Sequence, residues 1–93
     1  MRDYELVLII QPDLDETALN DVVEKVKGWI TEAGGAIAKV DFWGKRKLAN
    51  AIRKQREGQY VLFKYQSSPT LCSAIERDLH LMEPVMRFLI SQA

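Results

Sequence analysis

The stretch "WGKRKLANAIRK", Trp43 to Lys54, places five Lys and Arg among twelve residues of a chain whose 13 basic and 13 acidic residues cancel. Guanidinium forks bind phosphate bidentately and stack on planar groups, and ammonium groups act as mobile point charges beside them. With Trp43 and Tyr60 close by for stacking, the mixture has the make-up of a surface for RNA. Basic side chains on an edge strand also discourage sheet-to-sheet aggregation, but one or two suffice for that. Here residues 41–60 carry six (Lys45, Arg46, Lys47, Arg53, Lys54 and Arg56) against Asp41 and Glu57. Residues 1–40 run the other way, with four basic against eight acidic, so a neutral total conceals a dipolar chain. Such asymmetry bears on partners rather than on fold.

No other grouping has the spacing of a reactive site. His80 has no Cys, Asp or Ser partner by spacing and reads as a surface residue near a helix end. Cys72 lies on an apolar stripe, as a structural thiol would, and a lone cysteine makes no internal disulfide. Asp13, Asp15, Glu16 and Asp21 gather at a helix start, where capping and the helix dipole account for them. There is no phosphate-cradling glycine loop and no Cys/His cluster of metal-ligand spacing. The expectation is a protein without catalytic residues, metal, cofactor or small-molecule substrate. The apolar run near the amino terminus is short and interrupted by Glu5, which argues against a signal or membrane segment and for a reducing, cytoplasmic setting.

The basic segment needs elements to carry it. "YELVLIIQ" reads as a central strand whose even residues Tyr4, Leu6, Leu8 and Ile10 face a core, with Pro12 as its stop. A helix follows, with Asp15 as N-cap, a stripe of Leu19, Val22, Val23, Val26, Ile30 and Ala33, and Gly34-Gly35 as its end. Ala36 to Asn50 is extended, with Ile37 and Val40 inward and a bulge near Lys39. "RKQREG", Arg53 to Gly58, reads as the hairpin tip, and "QYVLFKY" returns with Val61, Phe63 and Tyr65 inward. A second helix starts at Ser68-Pro69 with Cys72, Ile75 and Leu79 as its stripe. After Pro84, "VMRFLISQ" is the last strand. The order βαββαβ with right-handed crossovers gives an α+β, ferredoxin-like fold: four antiparallel strands and two helices on one face, as one domain over residues 1–93.

This leaves one sheet face without helices. Alternation puts Glu5, Val7, Ile9, Tyr60, Leu62, Lys64, Arg87 and Leu89 there. A solvated antiparallel face alternates to polar, whereas Val7, Ile9, Tyr60, Leu62 and Leu89 would form a contiguous exposed patch suited to docking a protein.

Several stretches together resemble the bacterial small-subunit ribosomal protein S-six family, over essentially the whole chain. The opening "MRDYELVLIIQPDLDE", the motif "WGKRKLANAIRK", "EGQYVLFKY" at the expected distance, and "PVMRFLISQ" with Arg87 embedded carry the likeness. The resemblance implies a non-catalytic component of the small ribosomal subunit that binds the central domain of small-subunit ribosomal RNA together with ribosomal protein S-eighteen. It implies Arg2, Lys45, Arg46, Lys47, Arg53, Lys54 and Arg87 as RNA contacts. Two features depart from the family: Asn50-Ala51 stands where tyrosine-proline is usual, and the charged carboxyl-terminal extension of many members is not found after Ala93. The residues by themselves leave open a regulatory or protein-interaction module on the same fold, with the basic hairpin as solvating decoration.

Overall fold

A computed structural model describes residues 1–93. In chain order it comprises β1 (Arg2–Ile10), α1 (Glu16–Glu32), β2 (Ala36–Ile52), β3 (Gln55–Ser67), α2 (Pro69–His80) and β4 (Val85–Gln92). The strands form one sheet in the order β2-β3-β1-β4, every neighbouring pair antiparallel.

Period-two alternation in β1 and β3 decides the layers. Leu6, Leu8 and Ile10 are fully buried, as are Val61, Phe63 and Tyr65 in effect, and Tyr4 joins them with its ring stacked 5.6 Å from that of Tyr65. Val22, Val23, Val26 and Ile30 of α1 and Ile75 and Leu79 of α2 close the same cluster, so both helices lie on one face. Leu19 is partly buried, and Ala33, assigned to the stripe from its spacing, is exposed at the helix cap. The Tyr65 hydroxyl lies 3.4 Å from Cys72 Sγ; burial first, and then this hydrogen bond, pushes the phenol far above its ordinary range, so it stays protonated.

Both helix starts follow their caps. Ala18 N–H donates to Asp15 Oδ1 at 2.8 Å, and Leu71 N–H donates to Ser68 Oγ at 3.2 Å with Pro69 in the first turn. The end of α1 is a Schellman motif: Gly35 N–H reaches Ile30 O at 2.8 Å and Gly34 N–H reaches Thr31 O, with Gly34 at φ +92. Gly28 has no such role. A Cβ built there meets nothing within 4 Å, so Gly28→Ala should stabilise the protein by about 0.5–1 kcal/mol through helix propensity. A rise in the denaturant midpoint at unchanged slope would record it.

The β2–β3 hairpin differs most from the sequence-based expectation. Its turn is only Arg53-Lys54, between the paired Ile52 and Gln55, both at positive φ (51 and 66). That is the two-residue geometry in which glycine and asparagine are usual, and each non-glycine residue there costs roughly 1 kcal/mol. Gln55 to Gly58 therefore belong to β3 rather than to the tip. The bulge expected near Lys39 is present, with Ala38 the unpaired residue, and a second shift falls at Trp43. A third is larger. Between the pairs Lys47–Glu57 and Ile52–Gln55, β2 spends three more residues than β3, so regular pairing lapses through residues 48–51.

One buried polar residue ties the hairpin base to β1. Gln59 occupies a core-facing position, and its Nε2 donates to Gln11 O and Leu14 O, both at 3.1 Å. This satisfies the Leu14 carbonyl and gives the Gln11 carbonyl a second donor beside Leu14 N–H. No buried side-chain nitrogen or oxygen lacks a partner.

Candidate nucleic-acid interface

The basic residues sit on the far half of the hairpin, an arm that extends past the end of β1. Lys45 pairs with Gln59, Arg46 with Gly58 and Lys47 with Glu57, so alternation sends Lys45 and Lys47 to one side of the arm and Arg46 to the other. All three are exposed, as are Lys54 at the turn and Arg56 on the returning strand. The chain has four ion pairs, Glu24–Lys27, Lys39–Asp41, Glu5–Lys64 and Arg77–Asp78, and none involves these five cations. The sheet's own lysines are thus neutralised locally while the arm's charge is left unpaired. At this density, unpaired exposed cations suit a polyanion whose counterions they would displace.

Arg87 joins this region. It is exposed on β4 opposite Ile9, near the end of β1 from which the arm projects. Arg2 does not join it. It opens β1 beside Ser67, roughly 26 Å along the strand from Ile10 by strand rise. Arg56, which the sequence marks only through the charge count, lines a depression beside the unpaired stretch with Lys47, Asn50 and Glu57.

Two of the expected contact groups are engaged within the fold. The resemblance implies Arg53 as a phosphate contact, yet its guanidinium turns back onto the fold: Nη1 donates to Glu83 O at 2.8 Å and Nη2 to Val85 O at 3.2 Å. The aromatic pair is also engaged internally. Trp43 and Tyr60 stack on each other at 6.1 Å and 14°, the Trp43 indole N–H donates to Asp41 Oδ2 at 3.2 Å, and the Arg46 guanidinium lies 5.1 Å over the indole. These contacts hold Arg46 by a cation–π interaction more than they offer a free ring to a base.

On the helix-free face, register sets Val7 between Leu62 and Leu89, and Ile9 between Tyr60 and Arg87. The apolar patch is contiguous, but Leu62 is buried at 8% exposure, not exposed as expected, flanked by its cross-strand partners Val7 and Asp41. Val7, Ile9 and Tyr60 are half-buried, and Leu89 is 66% exposed. Val7, Ile9, Tyr60, Arg87, Phe88 and Leu89 line a shallow depression of about 300 Å³. The face extends onto the arm, where Gly58 lies so close under Ile9 that a Cβ there would come within 2.5 Å of Ile9 Cγ2.

No three His, Cys, Asp or Glu converge as a metal set, and no helix is long and apolar enough to cross a membrane. His80 is exposed at the last position of α2, edge-on to Phe88 at 4.9 Å. Cys72 is partly buried against Tyr65.

Comparison with known proteins identifies the family. The family model described as ribosomal protein S6 matches residues 3–92. The small ribosomal subunit protein bS6 of Moorella thermoacetica is 44% identical over 92 residues, 99% of this chain and 94% of that one. Its counterpart in Clostridium novyi is 43% identical over 90 residues, covering 97% and 95%. The crystal structure of 30S ribosomal protein S6 from Thermotoga maritima superposes with a TM-score of 0.93 at 30% identity, covering 99% of this chain and 87% of that one. A match of this extent, in sequence and in fold, places the chain in the ribosomal protein S6 family.

Proposed function

We propose that the chain is a non-catalytic structural component of the small ribosomal subunit in the cytoplasmic ribosome, holding the central domain of small-subunit ribosomal RNA with its basic arm. The observation that carries this is the set of five exposed arm cations, Lys45, Arg46, Lys47, Lys54 and Arg56, with no carboxylate within ion-pair distance. Arg87 extends that contact along the sheet end, and Arg2, far along β1, would meet a separate stretch of backbone. The apolar helix-free face, centred on Val7, Ile9, Tyr60 and Leu89 with Leu62 as its buried floor, would dock ribosomal protein S-eighteen.

The mechanism is adhesion. Phosphate binding displaces counterions, and a protein partner on the adjacent face completes the RNA-binding surface. If about four phosphates are engaged, the log–log slope of affinity against salt is roughly −3 to −4. Replacing Lys45, Arg46 and Lys47 together with Ala should flatten it by about two to three units, with no loss of fold. The measurement is a titration of a central-domain RNA fragment at several salt concentrations, with and without S-eighteen. Binding that ignores salt, or a triple variant that enters small subunits as well as the parent chain, would favour a protein-interaction module with a merely solvating arm.

A further inference from the structure

We infer that Arg53 is a positioning residue, a latch that holds the basic arm in the orientation that presents its cations. The inference rests on the phosphate-binding reading above and goes beyond it, because it removes Arg53 from the contacts and gives it a different task. Three observations lead to it. The first is the fork itself: Arg53, at the tip of the β2–β3 hairpin, gives two guanidinium nitrogens to two carbonyls, Glu83 O at 2.8 Å and Val85 O at 3.2 Å, at the start of β4. In the sheet order β2-β3-β1-β4 these strands are not neighbours, so the contact runs from the arm's tip across the end of β1.

The second observation is the lapse in pairing through residues 48–51. Beyond Lys47–Glu57 the ladder no longer fixes the tip relative to the sheet, so something else must. The third is the turn. Arg53 occupies a left-handed position at φ 51, where glycine or asparagine would be at less strain. A long cationic side chain in that position is explained if its reach is what matters.

A latch of this kind acts on affinity through the population of the competent arm. If releasing it leaves the arm correctly placed a tenth of the time, apparent affinity falls about tenfold while every phosphate-binding group is still present. Lysine separates the two roles. Arg53→Lys keeps the charge but replaces a planar fork by a single point donor, so it should fail as a latch and succeed as a phosphate contact.

The test uses the full chain with Arg53→Ala, Arg53→Lys and, as a contact control, Lys47→Ala. Hydrogen exchange of the arm amides at the tip, residues 52–57, should accelerate about tenfold in both Arg53 variants and remain at the parent rate in Lys47→Ala. Affinity for the central-domain RNA fragment, measured with S-eighteen present, should fall about five- to tenfold in both Arg53 variants at an unchanged salt slope. Lys47→Ala should flatten that slope by nearly one unit. Unchanged arm exchange in Arg53→Ala would overturn the latch. So would an Arg53→Lys variant that behaves as the parent while Arg53→Ala loses salt slope, since Arg53 would then be a phosphate contact. Accelerated exchange in both variants alongside a parent chain with no salt slope would uphold the latch and overturn the phosphate reading instead.

Discussion

Phe63→Ala is expected to cost about 3–5 kcal/mol, the range for truncating a fully enclosed aromatic side chain. Phe63 has no exposed surface, lies on β3 between Leu6 of β1 and Val40 of β2, and packs into the cluster that α1 and α2 close. Its neighbours are held by strand pairing on both sides, so the sheet cannot collapse into the space, and a cavity remains. For a chain of this size each kcal/mol lowers the melting temperature by roughly 4–8 °C, so the variant should melt about 12 °C or more below the parent. A total stability of about 5–15 kcal/mol makes this a large share. Leu62→Ala, one residue back and on the opposite face, should cost distinctly less, because its outer side meets no helix. Thermal or denaturant unfolding of the pair decides the matter: equal losses, or a Phe63 variant within about 1 kcal/mol of the parent, would sink the assignment of the helix-covered face as the core.

Phe63 and Leu62 also mark how far the sequence can be read. Period-two alternation locates Val61, Phe63 and Tyr65 on the inside because their partners on β1 alternate in the same phase, and a local rule suffices when both strands obey it. The same alternation says nothing about how crowded the other face is. Leu62 is flanked there by Val7 of β1 and Asp41 of β2, a consequence of strand pairing that no window of β3 contains. The arm shows the same division. Its charge is plain from Lys45 to Arg56 in one line of text, as are the caps Asp15 and Ser68, whose hydrogen bonds span three residues. The true turn at Arg53-Lys54 is hidden, because neither residue is a turn former and "REG" just beyond offers a glycine. That glycine serves the close approach to Ile9 instead. Arg53's partners lie 30 and 32 residues away in sequence, and Gln59's lie 48 and 45. Both are invisible for the same reason: a polar side chain's type gives its donors, and only the fold gives the carbonyls that receive them.

Leu89→Asp is expected to abolish the proposed docking of S-eighteen, lowering affinity by about 100-fold or more, while leaving the fold nearly untouched. Leu89 is the apolar residue of the helix-free face with most left to bury, at 66% exposure, whereas Leu62 at 8% has almost nothing to gain from a partner. Apolar burial contributes in proportion to area removed from water, so the free energy of docking on this face should concentrate at Leu89 and the half-buried Val7 and Ile9 beside it. A carboxylate there would be desolvated in an apolar contact, a penalty added to the lost burial. The one cation near enough to soften it is Arg87, which lines the same depression. An ion pair between Arg87 and the introduced carboxylate would form in the free protein as well, so it lowers the cost of carrying the charge without restoring the contact. In the free protein the substitution is a surface change, expected within about 0.5 kcal/mol of the parent. The salt slope for RNA measured without S-eighteen should stay unmoved in Leu89→Ala, because Leu89 contacts no phosphate under this reading. It should flatten by no more than about one unit in Leu89→Asp, the share of an Arg87 paired with the introduced carboxylate. Isothermal titration of S-eighteen against the parent, Leu89→Ala and Leu89→Asp gives the answer, with Leu89→Ala expected to lose about tenfold. Parent-like binding by Leu89→Asp would rule out this face as the docking surface, whatever the arm does with RNA.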